Sequence, residues 1–233
     1  MRIGGLLKSS FIDYPGKLGC VLFLSGCNFD CPYCHNPELV AGCREPRKQY
    51  EQKDVFDFLK KRSGFLEGVV ISGGEPTLND KELVDLCGNV KNLGYPVKLD
   101  TNGSKPDMIK FLMKNDLVDY IAMDLKTDPL LYDSLISKGI HGETIAESVE
   151  TILNSEIPCE FRTTCVKPLV DDDIISGLAK LISGAPLFAL QEMNGKDFLH
   201  PEWFHGENRK CTSEEIHHFK EIASPYVESC IIR

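Results

Sequence analysis

The chain has 233 residues, of which 42% are hydrophobic, and a formal net charge of -9. This hydrophobic content is ordinary for a globular protein with a core. The acidic balance argues against general nucleic-acid binding, which requires clustered lysine and arginine. The one basic cluster, at residues 44–48, is interrupted by Glu45 and Pro46 and indicates a solvated loop. We therefore predict no nucleic-acid partner.

The sequence predicts no membrane partner either. No stretch reaches the roughly 20 apolar residues that cross a bilayer, and the N-terminus lacks the apolar run and cleavage site of a signal peptide. We expect a cytoplasmic protein, where stable disulfides are uncommon. The ten cysteines then need another explanation, which is core packing for isolated ones and metal binding for clustered ones.

Predicted strands alternate with helical segments along most of the chain. Apolar residues recur with helical spacing over residues 53–62 and 79–94, and Asn79 and Pro106 are typical of helix starts. The apolar runs that we interpret as strands are residues 18–25, 68–72, 95–100, 118–124, 158–166 and 185–191.

This alternation predicts parallel strands joined by right-handed crossovers. Six such units form either a doubly wound sheet or an incomplete barrel, and periodicity does not choose between them. Both architectures place the active site at the carboxyl ends of the strands. We predict one domain over residues 1–200 and a C-terminal extension over residues 201–233, with a helix at Ser213–Ala223 and a short final strand.

A cysteine triplet with the spacing C-x3-C-x2-C directly follows the first predicted strand: Cys27, Cys31 and Cys34. A helix with these residues on its buried face is disfavoured because Pro32 interrupts it. A zinc site with Cys43 or His35 as fourth ligand is a second interpretation, although structural zinc sites usually contain a second C-x2-C pair. A redox-active thiol set is a third. Three thiolates suit a [4Fe–4S] cluster with one iron open to a ligand, because full protein ligation needs four cysteines.

Polar residues at the later strand ends suit a zwitterionic cofactor. The glycine pair at residues 73–74 lets the backbone approach a ligand closely, and Glu75 can accept a hydrogen bond from an ammonium group. Lys126 supplies a cation for a carboxylate. Arg162 lies inside a predicted strand that should be buried, so it needs a partner, either Glu160 or the cofactor.

These motifs together resemble the radical S-adenosylmethionine superfamily, whose triplet has the form C-x3-C-x-(aromatic)-C, with Tyr33 as the aromatic residue here. Within it, the chain resembles the activating enzymes of glycyl-radical enzymes, including those for pyruvate formate-lyase and anaerobic ribonucleotide reductase. The stretches that carry the resemblance are residues 13–16 (DYPG), 27–38 (CNFDCPYCHNPE), 73–76 (GGEP), 100–103 (DTNG) and 124–126 (DLK).

The resemblance implies a partial (β/α)6 TIM-like barrel of parallel strands with a short C-terminal extension. It also implies that the cysteine triplet holds a [4Fe–4S] cluster whose open iron chelates S-adenosylmethionine. An electron from a low-potential donor such as flavodoxin or ferredoxin would then cleave this cofactor to a 5′-deoxyadenosyl radical. The residues that the resemblance assigns to the cofactor are Tyr33, Gly73, Gly74, Glu75, Asp100, Lys126, Arg162 and Gln191.

Three further expectations come from the resemblance. A site for a monovalent cation or Mg²⁺ would be formed by Asp100, Thr101 and Asp124, since hard oxygen ligands suit such ions. Asp13 would lie near the barrel mouth, face the glycine loop of a partner glycyl-radical enzyme and belong to the catalytic residues. Gln191 stands where the formate-lyase activating enzyme has a histidine.

The predicted function is therefore an activating enzyme that generates a glycyl radical on an anaerobic ribonucleotide reductase or a formate-lyase-like enzyme. The interval from residue 42 to 68 holds only Cys43, so the chain resembles the short form without a ferredoxin-like insertion. An alternative is a radical enzyme that acts on a small molecule, similar to the carboxy-deazaguanine synthases. A zinc-binding structural protein is a third hypothesis.

Overall fold

A computed structural model of the chain describes residues 1–40, 49–194, 198–205 and 208–233. Cys43 and the basic cluster at residues 44–48 lie outside the described residues, so the interpretations that involve them stay predictions. Within these four ranges, eight strands follow one another in an open sheet in chain order. They are β1 Ile3–Ser10, β2 Gly19–Leu24, β3 Gly68–Gly73, β4 Val97–Thr101, β5 Tyr120–Asp124, β6 Cys159–Cys165, β7 Phe188–Glu192 and β8 Cys230–Ile232.

The described residues include seven α-helices between or after these strands: α1 Gln52–Lys61, α2 Asp80–Asn92, α3 Pro106–Lys114, α4 Tyr132–Leu135, α5 Gly142–Leu153, α6 Asp172–Leu181 and α7 Ser213–Ala223. The predicted face of α2 is confirmed, because its buried residues are Leu83, Leu86, Cys87 and Val90. The C-terminal helix begins with a capping box, in which Thr212 and Glu215 bond each other's backbone N–H. No described helix combines the length and the apolar character that a membrane crossing requires.

The chain divides into two compact units by its internal contacts. The first unit comprises residues 1–28, 36–101 and 107–121, and the second comprises residues 29–35, 102–106 and 122–233. The boundary that we predict between residues 200 and 201 falls inside the second unit. The C-terminal extension over residues 201–233 therefore stays a prediction.

In the first unit, β2 pairs in parallel with β3, and β3 pairs in parallel with β4. These strands are buried on both faces, which favours continuous apolar runs such as residues 68–71. The first strand was not predicted. It pairs antiparallel with β2, so that Ile3 lies opposite Leu24 and Ser10 lies opposite Gly19. Because the strand contains two glycines and an exposed Leu7, its sequence shows no regular alternation of apolar and polar residues.

In the second unit, β6 pairs in parallel with β7, and β7 with β8. The six predicted strands correspond to β2–β7, and the predicted helix and final strand correspond to α7 and β8. The prediction of a parallel-dominated α/β fold of the partial TIM-barrel class is confirmed, because the sheet is open and only the β1–β2 pairing is antiparallel among the described registers.

Candidate active site

The loop that carries Cys27 packs directly against the glycine pair after β3, within the first unit. The backbone N–H of Gly74 donates to the Leu24 carbonyl at 2.9 Å, and that of Glu75 donates to the Gly26 carbonyl at 2.7 Å. A Cβ atom at residue 74 would lie 2.0 Å from the Gly26 carbonyl oxygen. Only glycine therefore fits there, and the two motifs form one structure that we call the Cys27 site (residues 26–27 and 73–75).

The Glu75 carboxylate is fully buried and ties the ends of β3 and β4 together. Its Oε1 accepts hydrogen bonds from the Thr77 N–H at 3.1 Å, the Thr77 hydroxyl at 2.6 Å and the Thr101 hydroxyl at 2.8 Å. Hydrogen bonds to a carboxylate are stronger than neutral ones, so these donors hold the side chain in one position. Contact between Glu75 and a cofactor ammonium group stays a prediction.

Asp100 is paired with a lysine that the sequence analysis did not single out. Lys98 Nζ lies 2.7 Å from Asp100 Oδ1, with side-chain exposures of 1% and 12%. The two side chains point the same way because they are two residues apart in β4, and the lysine Nζ also lies 5.8 Å from the Tyr120 ring centroid. A lysine in an otherwise apolar strand, two residues before an aspartate, is the sequence signal that could have identified it.

Asp13 is not brought to the end of β2 where Cys27 lies. The loop that contains Asp13 follows Ser10, whose partner Gly19 begins β2, whereas Cys27 comes after Leu24 at the other end. The Ser10 hydroxyl donates to the Asp13 carboxylate and accepts from the Asp13 N–H, so it fixes this turn. The proposed role of Asp13 toward a partner stays a prediction.

The other two cysteines of the triplet belong to the second unit and bracket a tight turn. The Cys34 N–H donates to the Cys31 carbonyl at 3.0 Å, and Cys31 is buried. Between them, the Tyr33 side chain is 4% exposed, and its hydroxyl has no hydrogen-bond partner within the part of the chain that the structure describes. Burial raises the pKa of Tyr33 well above its usual value, so the phenol stays neutral.

Charged side chains at the end of β5, within β6 and directly after β8 form what we call the Lys126 network (Asp124, Lys126, Glu160, Arg162 and Arg233). Lys126 Nζ lies 2.9 Å from Asp124 Oδ2, and Arg162 Nε lies 2.6 Å from Asp124 Oδ1. Burial alone would raise the pKa of Asp124, but the charges of Arg162 and Lys126 hold it below its usual range. Burial alone would lower the pKa of Lys126, but the Asp124 carboxylate raises it well above its usual value.

We expected Glu160 or the cofactor as the partner of Arg162. The structure adds Asp124 as a nearer partner, and the contact with the cofactor stays a prediction. The short contact of Arg162 is with Asp124, whereas its Nη1 lies 4.0 Å from Glu160 Oε1. The buried Glu160 carboxylate is instead paired with Arg233, whose Nη2 lies 2.7 Å from Oε2. Lys126 and Arg162 thus place two cationic groups beside Asp124, and cationic groups suit an anionic ligand group.

Both oxygens of Asp124 already accept bonds from Arg162 and Lys126, and Asp100 already pairs with Lys98. A bound cation would have to compete with these side chains for the same carboxylates, so the predicted cation site stays a prediction without support from these contacts.

Gln191 in β7 pairs with Thr164 in β6, and two residues earlier Ala189 pairs with Arg162. By strand alternation the Gln191 side chain shares the face of Arg162, as a cofactor contact would require.

The isolated cysteines, for most of which core packing is the predicted role, are buried, and this prediction is confirmed. Burial raises the pKa of the Cys20, Cys87 and Cys165 thiols to about 12 and that of Cys159 and Cys211 to about 11, which keeps them protonated and unreactive. The cysteines of this group are Cys20, Cys87, Cys159, Cys165, Cys211 and Cys230.

Fold and residues together define a class of protein with a parallel α/β sheet and a cysteine triplet at a strand end. Residues 21–180 match the Radical SAM superfamily. The chain belongs to this superfamily, which implies a [4Fe–4S] cluster and S-adenosylmethionine as cofactors. Within the second unit, two thiols with a buried aromatic residue between them and the cations Lys126 and Arg162 are groups that suit these cofactors.

Comparison with curated proteins shows which enzymes this chain is similar to in sequence. A Methanocaldococcus jannaschii protein, provisionally named a glycyl-radical enzyme activating enzyme, is 34% identical over 99% of this chain and 95% of its own length. The pyruvate formate-lyase-activating enzyme of Clostridium pasteurianum is 31% identical over 78% of this chain and 76% of its own length. The 7-carboxy-7-deazaguanine synthase of Thermococcus kodakarensis is 28% identical over 54% of each chain. This chain is thus an enzyme homologous to activating enzymes of glycyl-radical enzymes.

Among solved structures, Streptococcus suis SuiB bound to S-adenosylmethionine superposes with a TM-score of 0.68 and 16% identity. The match covers 91% of this chain and 51% of that one. The chain therefore spans about half the length of this structural neighbour. At this identity the likeness concerns the fold, which agrees with the partial barrel expected from the sequence.

Proposed function

We propose that this chain is a radical S-adenosylmethionine activating enzyme that generates a glycyl radical on a partner of the anaerobic ribonucleotide reductase or formate-lyase-like class. The observation that carries the proposal is the Cys27 site, where the first cysteine of the triplet and the glycine pair of the second motif form one packed structure. The near-full-length similarity to an activating enzyme supports the same reading.

In this proposal, Cys27, Cys31 and Cys34 hold the [4Fe–4S] cluster. In the described part of the chain, no three histidine, cysteine or carboxylate side chains already stand in the arrangement of a metal site. The assignment of the three cysteines therefore rests on the motif and on family membership. Lys126 and Arg162 would bind the cofactor carboxylate through charge-assisted hydrogen bonds. Glu75, oriented by Thr77 and Thr101, would accept from the ammonium group.

When bound, the cluster and S-adenosylmethionine supply the radical chemistry. That chemistry would be reductive cleavage of the cofactor, with the electron supplied by a low-potential donor such as flavodoxin or ferredoxin. Its outcome would be removal of a hydrogen atom from a glycine Cα of the partner, with 5′-deoxyadenosine and a glycyl radical as products. The residues of this chain contribute binding, orientation and exclusion of water.

Anaerobic reconstitution tests the proposal. The protein is expected to be brown, with broad absorbance near 400 nm, and to form 5′-deoxyadenosine and methionine when it is reduced with S-adenosylmethionine present. Addition of a glycyl-radical enzyme should produce a glycyl doublet in electron paramagnetic resonance. A colourless protein with stoichiometric zinc would contradict both the cluster and the radical chemistry.

Cysteine variants provide the matched control. We expect Cys27→Ala, Cys31→Ala and Cys34→Ala each to abolish cleavage of S-adenosylmethionine, whereas Cys43→Ala should retain it. Loss of the cluster in the Cys43 variant would show that the three-cysteine ligand set is incomplete.

A small-molecule substrate is the second candidate, because the T. kodakarensis synthase matches half of this chain. It makes a different prediction for the same assay. Cleavage of S-adenosylmethionine with no glycyl doublet on any partner, together with modification of a small molecule such as a deazapurine precursor, would favour this candidate over the activating enzyme.

A further inference from the structure

His200 connects a distant segment of the second unit to the turn that carries Cys31 and Cys34. Its Nε2 lies 2.8 Å from Asp30 Oδ1, across a separation of 170 residues in the chain. Its backbone N–H donates to the Pro32 carbonyl at 3.2 Å, between the two cysteines. Its Nδ1 lies 3.0 Å from Glu202 Oε1. Side chain and backbone of one residue thus contact both sides of Cys31.

Aromatic contacts also connect the segment around His200 to the cysteine turn. Phe198 lies 5.8 Å from the ring of His35, which directly follows Cys34, and stacks on Phe204 at 4.5 Å. Trp203 packs edge-on against Phe204 at 5.1 Å, and Arg209 lies 4.1 Å above the Trp203 ring. These contacts are the kind that add packing energy beyond buried area. We call residues 198–205 the aromatic strap.

Isolated surface ion pairs contribute little to stability, and Asp30 and Glu202 are 65% and 68% exposed. The His200 contacts differ from such a pair in two respects. The imidazole is held from both sides by carboxylates, so its orientation is determined. A backbone bond to Pro32 accompanies the side-chain bond to Asp30, so displacement of His200 would release two points of the cysteine turn at once.

We propose that His200 is a positioning residue for the cluster-binding turn, and that it fastens the aromatic strap across residues 30–35. The proposal rests on the function proposed above, since it assigns the turn to a cluster. His200 does not touch the cysteine thiols. It acts through Asp30 and Pro32, which flank Cys31 and set the direction of its side chain.

Hydrogen–deuterium exchange of the cluster-free protein tests the positioning directly. In His200→Ala, we expect amides of a peptide covering residues 28–35 to exchange about tenfold faster, because a charge-assisted contact that restrains local opening is lost. His200→Gln keeps one N–H donor and should restore most of the protection. The control is His218→Ala, which removes an exposed histidine paired with Asp172 at 3.3 Å and leaves the cysteine turn untouched.

A second measurement uses the reconstituted protein. The absorbance near 400 nm should bleach several-fold faster in His200→Ala than in wild type when an iron chelator is added, with the melting temperatures of the cluster-free His200 and His218 variants matching each other. Equal exchange of residues 28–35 in wild type and both variants would overturn the proposal. So would a uniform increase of exchange across the whole His200→Ala chain, because that would show general destabilisation.

The proposed function and the proposed role of His200 can be contradicted independently. If wild-type protein does not cleave S-adenosylmethionine, the proposed function is overturned. The exchange result still decides whether His200 positions the cysteine turn, because that measurement needs neither cluster nor cofactor.

Discussion

The Cys27 site is held by backbone packing, whereas the Lys126 network is held by charge. At the Cys27 site, two loops approach so closely that a Cβ at residue 74 would collide with the Gly26 carbonyl. In the Lys126 network, Asp124 and Glu160 are positioned by three cations. Steric packing admits almost no adjustment, while ion pairs respond to pH, salt and bound ligands. We infer that the first region sets cluster geometry and the second tunes cofactor binding.

The largest expected effect is at the Cys27 site. Gly74→Ala should prevent iron incorporation and abolish cleavage of S-adenosylmethionine, because the added methyl group must displace the backbone at Gly26. Overpacking of this kind costs about 1–3 kcal/mol of unfolding free energy. Iron content after reconstitution and urea denaturation of the apoprotein measure both effects.

Gly88→Ala is the matched control for that variant. A Cβ at this position in α2 meets only Leu117 Cδ2, at 3.9 Å. Replacing glycine by alanine inside a helix should stabilise the protein by about 0.5–1 kcal/mol, with normal iron content. A Gly74→Ala protein that incorporates iron like Gly88→Ala would contradict the steric account of the Cys27 site.

A smaller effect is expected in the Lys126 network. Lys126→Ala should weaken S-adenosylmethionine binding about tenfold to a hundredfold while the cluster stays intact, because one charge-assisted contact to the cofactor carboxylate is lost. Equilibrium dialysis on reconstituted protein measures it, with Lys91→Ala, a lysine paired with Asp119, as control. Unchanged binding would mean that Lys126 does not contact that carboxylate.

Arg233→Ala should have a more moderate effect, since Arg233 contacts Glu160 rather than the proposed ligand. Removing one cation from a carboxylate that is 1% exposed should destabilise the protein by about 1–3 kcal/mol. Glu160 is then expected to draw Arg162 away from Asp124 and weaken cofactor binding slightly. Urea denaturation and dialysis check both, and Arg233→Lys should retain most of the stability. Wild-type stability in Arg233→Ala would contradict the pairing.

The smallest effect concerns pH. Hydrogen bonding to Asp30, and secondarily to Glu202, raises the pKa of His200 above its usual value, against the opposing effect of burial. A raised pKa in the folded state means that the contact stabilises the fold below the usual pKa of about 6.5 and that this is lost as pH rises through the raised value. The melting temperature of wild type should therefore exceed that of His200→Gln by a few degrees at most at pH 5.5, and the difference should shrink by pH 8.5. A constant difference would contradict protonation of His200 as its source.

Local patterns in the sequence were sufficient for the elements and for the motifs. Continuous apolar runs predicted β2–β7, helical spacing predicted the buried face of α2, and the C-x3-C-x2-C spacing predicted the superfamily to which the chain belongs. These properties depend on residues close together in the chain, so a single sequence contains them. The strand β1 was not predicted, because it is defined by its pairing with β2 and has no regular apolar pattern of its own.

Partners across the chain were decided only by the tertiary structure. Arg162 binds Asp124 over a separation of 38 residues, Arg233 binds Glu160 over 73, and His200 binds Asp30 over 170. Periodicity shows which face a side chain occupies but not which distant charge will meet it, and so Arg162 was left with two candidate partners and His200 with none. The cysteine triplet could be recognised from spacing alone, while the residues that hold its turn and its neighbouring charges in place depend on how the folded strands and loops bring distant segments together.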